Sequence, residues 1–250
     1  MQAPSTQVLL AAWERGRATS RQADRALALL GAAYADVPAG DLAQLSIGER
    51  DRLLLALREA TFGPRLTAIT VCPGCGAHLE MEFDVADVCA APSASEHARD
   101  AAASLQLRQG DYDVTFRLPN SLDLSALREL DRLAEKRAAL IERLILRATR
   151  ADEEIAASEL PEEVVNGLDA RLADLDPQAD VQLNLNCAEC RRDWQAPLDI
   201  VSFLWSEVDA WAVRLLREVH WLARAYAWRE ADILALSPWR RQCYLELLGE

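Results

Sequence analysis

Apolar residues recur at helical spacing through most of the first 60 residues of the chain. Ser5 or Thr6 can cap the first helix, because their hydroxyl groups accept hydrogen bonds from the unpaired N–H groups of a first turn. Further along, Ser46 and Glu49 have the spacing of a capping box. In this motif each of the two side chains accepts a hydrogen bond from the backbone N–H of the other residue at the start of the helix. The sequence therefore predicts N-terminal helices over residues 1–64.

The pattern changes from helical spacing to alternation at Leu66. Residues 66–71 are rich in β-branched side chains, and residues 79–83 alternate apolar with acidic positions, which is typical of half-exposed strands. A tight turn containing two glycines, Cys72-Pro73-Gly74-Cys75-Gly76, separates them. This segment is predicted to be a β-hairpin with two thiols at its tip.

A second segment repeats this arrangement far along the chain. Residues 181–186 alternate between apolar and polar positions, and Cys187-Ala188-Glu189-Cys190 forms a turn. Residues 194–198 are predicted to be the returning strand of the hairpin. The two hairpins, within residues 65–89 and 180–199, are predicted to form one discontinuous zinc-ribbon element.

The rest of the chain is predicted to be mainly helical. Residues 90–179 are expected to form an inserted region that begins with a loop at 90–103 and a strand at 113–119. A helix is then expected from roughly Ser125 to Thr149, and Trp-rich helices over 200–250. The predicted fold class is mostly α with a small antiparallel β zinc-ribbon element (α+β).

Composition and charge narrow the classes of function. The chain has 250 residues, 51% of them hydrophobic, and a net charge of −13. No apolar run reaches the about 18 residues that a membrane-spanning helix needs, and the first residues lack the pattern of a secretory signal. A strongly acidic surface also argues against binding duplex nucleic acid through its phosphates. We expect a cytoplasmic protein that binds neither membranes nor nucleic acid; its oligomeric state stays open.

The spacing of the cysteines indicates a metal site. In a reducing compartment, paired C-x-x-C turns are typical of metal ligands or of a redox dithiol. A redox motif opens a helix, whereas a strand follows each turn here. We therefore expect Cys72, Cys75, Cys187 and Cys190 to bind one structural Zn²⁺, although 111 residues separate Cys75 from Cys187. The alternative is that the site has lost its metal, or that the thiols are merely near one another.

Other candidate chemistry is sparse. Two separate zinc sites would need further ligands, and only His78 and His97 lie near the first pair. Cys89 and Cys243 are expected to be small buried apolar residues, and His220, beside a tryptophan on a predicted helix, a packed structural residue. Four thiolates leave no position open for a catalytic water. The sequence thus predicts no enzymatic activity.

The tryptophans allow two interpretations. Trp205, Trp211, Trp221 and Trp228 fall on predicted helices, where large aromatic side chains usually fill a core, but tryptophan is also enriched at protein interfaces. Trp205 is expected to be buried beside the zinc ribbon. Trp228, close to a predicted helix break, is the candidate for a partner-binding anchor or for a core residue.

Several motifs together resemble a known family over residues 45–250. They comprise Phe62-Gly63 before the first C-P-x-C-G turn, Phe116-Arg117-Leu118-Pro119-Asn120-Ser121-x-Asp123-Leu124, Asp199 to Trp205, and Glu218-Val219-His220-Trp221-Leu222-Ala223 with Tyr226-x-Trp228. In these motifs the chain resembles the baseplate hub assembly proteins of contractile-tailed phages and related contractile injection systems. The resemblance implies a non-enzymatic structural or assembly protein that binds baseplate or tail proteins and could be incorporated in the particle.

A zinc-ribbon protein that binds nucleic acid or acts in transcription is the alternative from another class. Zinc ribbons often serve in that way, but such binding needs basic and aromatic side chains around the turns. Only Arg191 and Arg192 flank one of them.

Overall fold

The structure, a computed structural model, describes residues 2–90 and 104–249. Most of the described residues are helical, and the strands form three small antiparallel sheets. The α+β class predicted from the sequence is therefore confirmed. The loop predicted at residues 90–103 lies, apart from Ala90, outside the described residues.

The N-terminal segment is helical, as predicted. Its helices are α1 (Thr6–Arg17), α2 (Gln22–Ala33), α3 (Ala39–Gln44) and α4 (Ile47–Phe62). Ser5 caps α1, and the Ser46 hydroxyl caps α4 by accepting a hydrogen bond from the N–H of Glu49 at 3.1 Å. The Glu49 carboxylate binds Arg52 instead of returning to the cap, so only half of the predicted capping box forms.

The first predicted hairpin follows directly. It consists of β1 (Arg65–Val71) and β2 (His78–Asp84), and a single helical turn, α5 (Val85–Val88), comes next. The strands pair from Arg65↔Asp84 to Val71↔His78. Leu66 is buried, whereas Glu80 and Glu82 lie on the exposed face. The alternation of apolar and acidic positions therefore predicted both the strand and the face it presents to solvent.

The region between the two hairpins carries a sheet of its own. Its elements are β3 (Leu105–Gln109), β4 (Tyr112–Phe116), α6 (Ser121–Ala126), α7 (Leu133–Leu144), β5 (Ile145–Arg150), β6 (Glu153–Ile155) and α8 (Glu162–Leu175). The strands pair in the order β3-β4-β5-β6. Phe116 and Leu168 are fully buried between the sheet and α8, in a cluster separate from the main core.

The prediction of one long helix from roughly Ser125 to Thr149 is wrong. The structure divides that stretch into the end of α6, the shorter helix α7 and the strand β5. Residues 145–149 keep a helix-compatible composition, but pairing with β4 places Ala148 opposite Val114, where both side chains are buried. Tertiary pairing overrides local propensity here, because the strand gains a buried partner that helix α7 could not supply.

The second hairpin and a long helix complete the chain. They comprise β7 (Gln182–Asn186), β8 (Asp193–Pro197), α9 (Ile200–Tyr226), α10 (Glu230–Ala235) and α11 (Pro238–Glu246). Helix α9 buries Leu204, Val208, Ala212 and Leu215 at helical spacing, and this stripe packs on α1, α2 and α4 to form the main core. Among the described helices, none is both long and apolar enough to cross a membrane.

The tryptophans divide between core and surface. Trp205 is buried as predicted, but the contacts that hold its ring are with Gly16 on α1 and Arg25 on α2. Trp228 lies just beyond the end of α9, half-buried and stacked on Tyr226. It packs against the main core, whereas Trp221 and Trp239 are exposed.

Candidate metal centre

The four cysteines of the two hairpin turns meet at one point. The Sγ atoms of Cys72 and Cys190 lie 3.6 Å apart, as do those of Cys75 and Cys187. All four sulfur atoms lie within 4.8 Å of one another. Tetrahedral Zn–S bonds of about 2.3 Å would place the sulfur atoms about 3.8 Å apart. The spacing therefore fits one tetrahedral ion held by a thiolate pair from each turn.

The two turns share one backbone geometry. In the first, the N–H of Cys72 donates to the carbonyl of Ala77 at 2.9 Å, and the N–H of Gly76 donates to the carbonyl of Cys72 at 3.0 Å. The second repeats both bonds, from Cys187 to Arg192 and from Arg191 to Cys187, at 2.9 and 2.8 Å. Each turn thus aims its two sulfur atoms to the same side.

The fourth residue after the leading cysteine has a left-handed backbone in both turns. Gly76 has a φ of 75° and Arg191 a φ of 58°. Glycine adopts this conformation without steric cost, whereas a residue with a Cβ atom is disfavoured in it. The first turn therefore has the residue that its geometry favours, and the second accepts strain at Arg191.

Each turn contributes one buried and one exposed sulfur. Cys72 and Cys187 are buried, whereas Cys75 and Cys190 are exposed at the protein surface. The aliphatic stem of Arg192 lies against Gly74 of the opposite turn, which has no room there for a side chain. The hairpins thus touch through a side chain as well as through the sulfur cluster.

The cysteine pKa values show how the turns act on the thiols. Burial raises the pKa of the Cys72 thiol, but hydrogen bonds from the N–H groups of Cys75 and Gly74, together with those from the thiols of Cys187 and Cys190, lower this pKa to about 6. The N–H of Ala77 lowers the pKa of Cys75, but the neighbouring thiols of Cys187 and Cys190 raise it to about 12. Thiolates this close repel one another, so all four can ionise together only around a cation.

The other sulfur and imidazole groups stand apart from this cluster. Cys89 and Cys243 are half-buried, and neither belongs to a metal-ligating group within the described residues. His78 is exposed on β2, and His97 lies outside the described residues. His220 is exposed on α9, and its ring packs edge-on against Trp221.

A second polar centre surrounds Asp123, which is fully buried. Arg117 donates two hydrogen bonds to its carboxylate at 2.6 and 2.8 Å, and Arg143 donates one at 2.9 Å. The N–H of Asn120 donates a fourth at 3.0 Å, and the Asn120 side chain caps α6 in return. Asn120 also pairs with Ser46 in front of α4. The Phe116–Leu124 motif therefore holds the inserted region to the N-terminal helices, a role the sequence analysis did not assign.

The fold and the cysteine cluster together define a helical protein whose two distant hairpins meet at a four-thiol site. Residues 6–205 match the model of the family described as T4 bacteriophage base plate protein. The chain therefore belongs to this family, which confirms the resemblance to phage baseplate proteins. No curated protein and no solved structure matches the chain.

Proposed function

We propose that the chain is a non-enzymatic structural or assembly component of a contractile tail baseplate, and that it acts by binding other baseplate or tail proteins. The observation that supports this proposal is the family match over residues 6–205. The main polar centres, at the cysteines and at Asp123, are built from mutually paired groups that hold segments together. This arrangement favours a scaffold over a catalyst.

We further propose that the cysteine cluster binds one structural Zn²⁺. Thiolate sulfur is a soft ligand that suits zinc, and four sulfur atoms at tetrahedral spacing close its coordination shell. A closed shell leaves no position for water or substrate, so the ion would stabilise the fold without taking part in a reaction.

The position of the cluster explains what such an ion would do. Cys72 and Cys190 are 118 positions apart, and the whole inserted region lies between them. A metal bond between the two turns would hold both ends of that region against the helical core. The site would thereby determine where the inserted sheet is presented to a partner.

Binding of nucleic acid is disfavoured by the charge of the hairpins. The exposed face of β2 carries Glu80, Glu82 and Asp84, which would repel phosphates. Arg192 uses its stem to contact the opposite turn. The charge of the described hairpin residues therefore does not favour the zinc-ribbon alternative.

Affinity purification from cells that carry the complete tail gene cluster tests the proposal. We expect tail or baseplate proteins to co-purify with the tagged chain, and electron microscopy of a deletion strain to show few complete contractile particles. Complementation with the wild-type gene is the control. Normal particles in the deletion strain would contradict an assembly role, and tight binding of DNA at physiological salt would favour the alternative.

A further inference from the structure

A cleft of about 540 Å³ opens where the inserted region meets the helical core. Its walls are the first turns of α2 and α9, the side of α4, and the segment from Leu124 to Lys136. Its charged lining consists of four cationic side chains and one carboxylate: Arg21, Arg50, Arg128, Lys136 and Asp199. In a chain with a net charge of −13, this excess of positive charge is a local exception.

The protein itself neutralises the cations of the cleft to different degrees. Arg21 forms an ion pair with Asp24 at 3.7 Å, so Lys136 and Arg128 are the cations most available to a ligand. Arg50 is 5% exposed, and Nε donates to Asp51 at 2.7 Å, while its terminal nitrogens have no hydrogen-bond partner among the described residues. Lys136, the only lysine of the chain, is half-buried and has no carboxylate within 4.0 Å in the described part. The ion pair of Arg128 with Glu129 spans 3.6 Å, which is too long for a hydrogen bond.

The single carboxylate of the cleft is already engaged. Asp199 caps α9 by accepting from the N–H of Ser202 at 3.1 Å, and it accepts a second hydrogen bond from Gln22 at 2.6 Å. By contrast, Arg21, which precedes the first residue of α2, forms no side-chain cap. Asp24 in the first turn of α2 offsets the positive end of this helix, so the preference for a negatively charged ligand depends on the cationic side chains.

The cleft also has apolar walls. Ala23, Leu127 and Val201 line it, together with Leu124, which is 42% exposed. A small inorganic anion would leave this apolar surface in contact with water. A peptide segment with both carboxylate and apolar side chains would match the charge and the apolar surface together.

We propose that this cleft binds an acidic segment of a partner baseplate protein. Its Asp or Glu side chains pair with Lys136 and Arg128, and an apolar side chain packs on Leu124. The negative charge over the rest of the chain repels such a segment and so favours this one docking position. The identity of the partner rests on the function proposed above, but the chemistry of the cleft does not.

A synthetic probe tests the cleft without any partner protein. A fluorescently labelled peptide in which Glu and Leu alternate is titrated with the full chain, and the same peptide with Gln in place of Glu is the matched ligand control. We expect the Glu peptide to bind more tightly and to weaken as salt rises. Lys136→Gln and Arg128→Gln should each weaken it about three- to fivefold, and together about tenfold or more.

Arg132→Gln is the matched protein control, because Arg132 is an exposed cation of the same segment that does not line the cleft. Equal binding of the two peptides, no binding of the Glu peptide, or an equal loss in Arg132→Gln would each overturn the proposal. If inorganic phosphate displaces the Glu peptide at an equal concentration, the cleft is a site for small anions. This result would also overturn the proposal.

Affinity purification then separates this proposal from the proposed function. If the wild-type chain retains tail proteins and the Lys136→Gln/Arg128→Gln variant loses them, the cleft is the docking site. Unchanged retention by this variant would refute the cleft and leave the baseplate role intact. If the wild-type chain retains no tail protein, the baseplate role fails, and the peptide titration still decides the cleft.

Discussion

The cysteine centre and the Asp123 centre both hold distant parts of the chain together, but they do so with different support. The cysteines lie on the turns of two hairpins, each of which has only two strands. Asp123 lies at the start of α6, and its partner Arg117 stands in the chain between the buried residues Phe116 and Leu118. The cysteine centre therefore lies at the ends of the hairpins that are remote from the main core, whereas Asp123 lies within a segment that carries buried apolar residues.

This difference indicates how much each region depends on its polar centre. An isolated two-stranded hairpin is at best marginally stable in water. Here only the bases of the hairpins pack on the main core, through residues such as Leu66 and Leu183, so a metal ion would supply the main bond between the turns at their other ends. The Asp123 network adds hydrogen bonds to a region that already buries apolar side chains, so its removal should weaken that region without unfolding it.

The largest effect is expected at the cysteine centre. Replacing Cys187 with Ser should abolish zinc binding and strongly lower the thermal stability, because a structural zinc site contributes on the order of 10 kcal/mol of apparent binding free energy. Metal analysis and thermal unfolding of the purified protein measure both quantities. Cys243→Ser is the control, since Cys243 is half-buried and lies outside the cluster. One zinc per chain in Cys187→Ser would refute a site shared between the hairpins.

A smaller loss is expected at Asp123. Asp123→Asn keeps the shape of the side chain but removes the charge that Arg117 and Arg143 share. Breaking a fully buried ion pair costs about 3–5 kcal/mol, but both arginines are partly exposed, so we expect about 2–3 kcal/mol. Urea unfolding measures this loss, with exposed Asp131→Asn as the control. Equal stability of the two variants would contradict the importance of the network.

The wild type and Asp123→Asn should also differ in how their unfolding free energies depend on pH. Burial raises the pKa of Asp123, but the hydrogen bonds from Arg117 and other donors outweigh burial and lower this pKa. The carboxylate therefore stabilises the fold above its unfolded pKa of about 3.9, and this stability is lost as the pH falls through the lower folded value. The difference in unfolding free energy between the wild type and Asp123→Asn should be constant near neutral pH and shrink below about pH 4. A difference that grows in acid would contradict this sign.

The smallest effects are expected at the left-handed positions of the two turns. Gly76→Ala should cost about 1 kcal/mol, because alanine is strained at this φ although space is free around the site. Arg191→Gly should relieve the same strain and stabilise the second turn by about 0.5–1 kcal/mol. Unfolding of the zinc-loaded protein measures both changes. The two substitutions should change the unfolding free energy in opposite directions. A loss of stability in both variants would mean that the two turns are not equivalent in their backbone strain.

Parts of this structure were open to prediction because their signals are local. The alternation in residues 79–83 and 181–186 and the C-x-x-C turns predicted the two hairpins, and the helical spacing after Ser46 predicted α4. The strand at residues 145–150 was missed, since its burial comes from pairing with β4 and not from its own pattern. The contacts of Trp205 with α1 and α2 were missed for the same reason.

The sequence by itself determined that two thiol-bearing hairpins would form and that most of the remaining chain would be helical, because strand alternation, helix spacing and tight turns depend on near neighbours. The spacing of the cysteines also predicted that the two turns would meet, which the cluster of four sulfur atoms confirms. Only the tertiary structure decided that Arg117 and Arg143 would both bind Asp123, and that Lys136 would line a cleft with Arg50. These contacts depend on how the inserted region closes onto the helical core. That closure is the sum of many weak packing interactions between distant residues, which no local pattern of the sequence encodes.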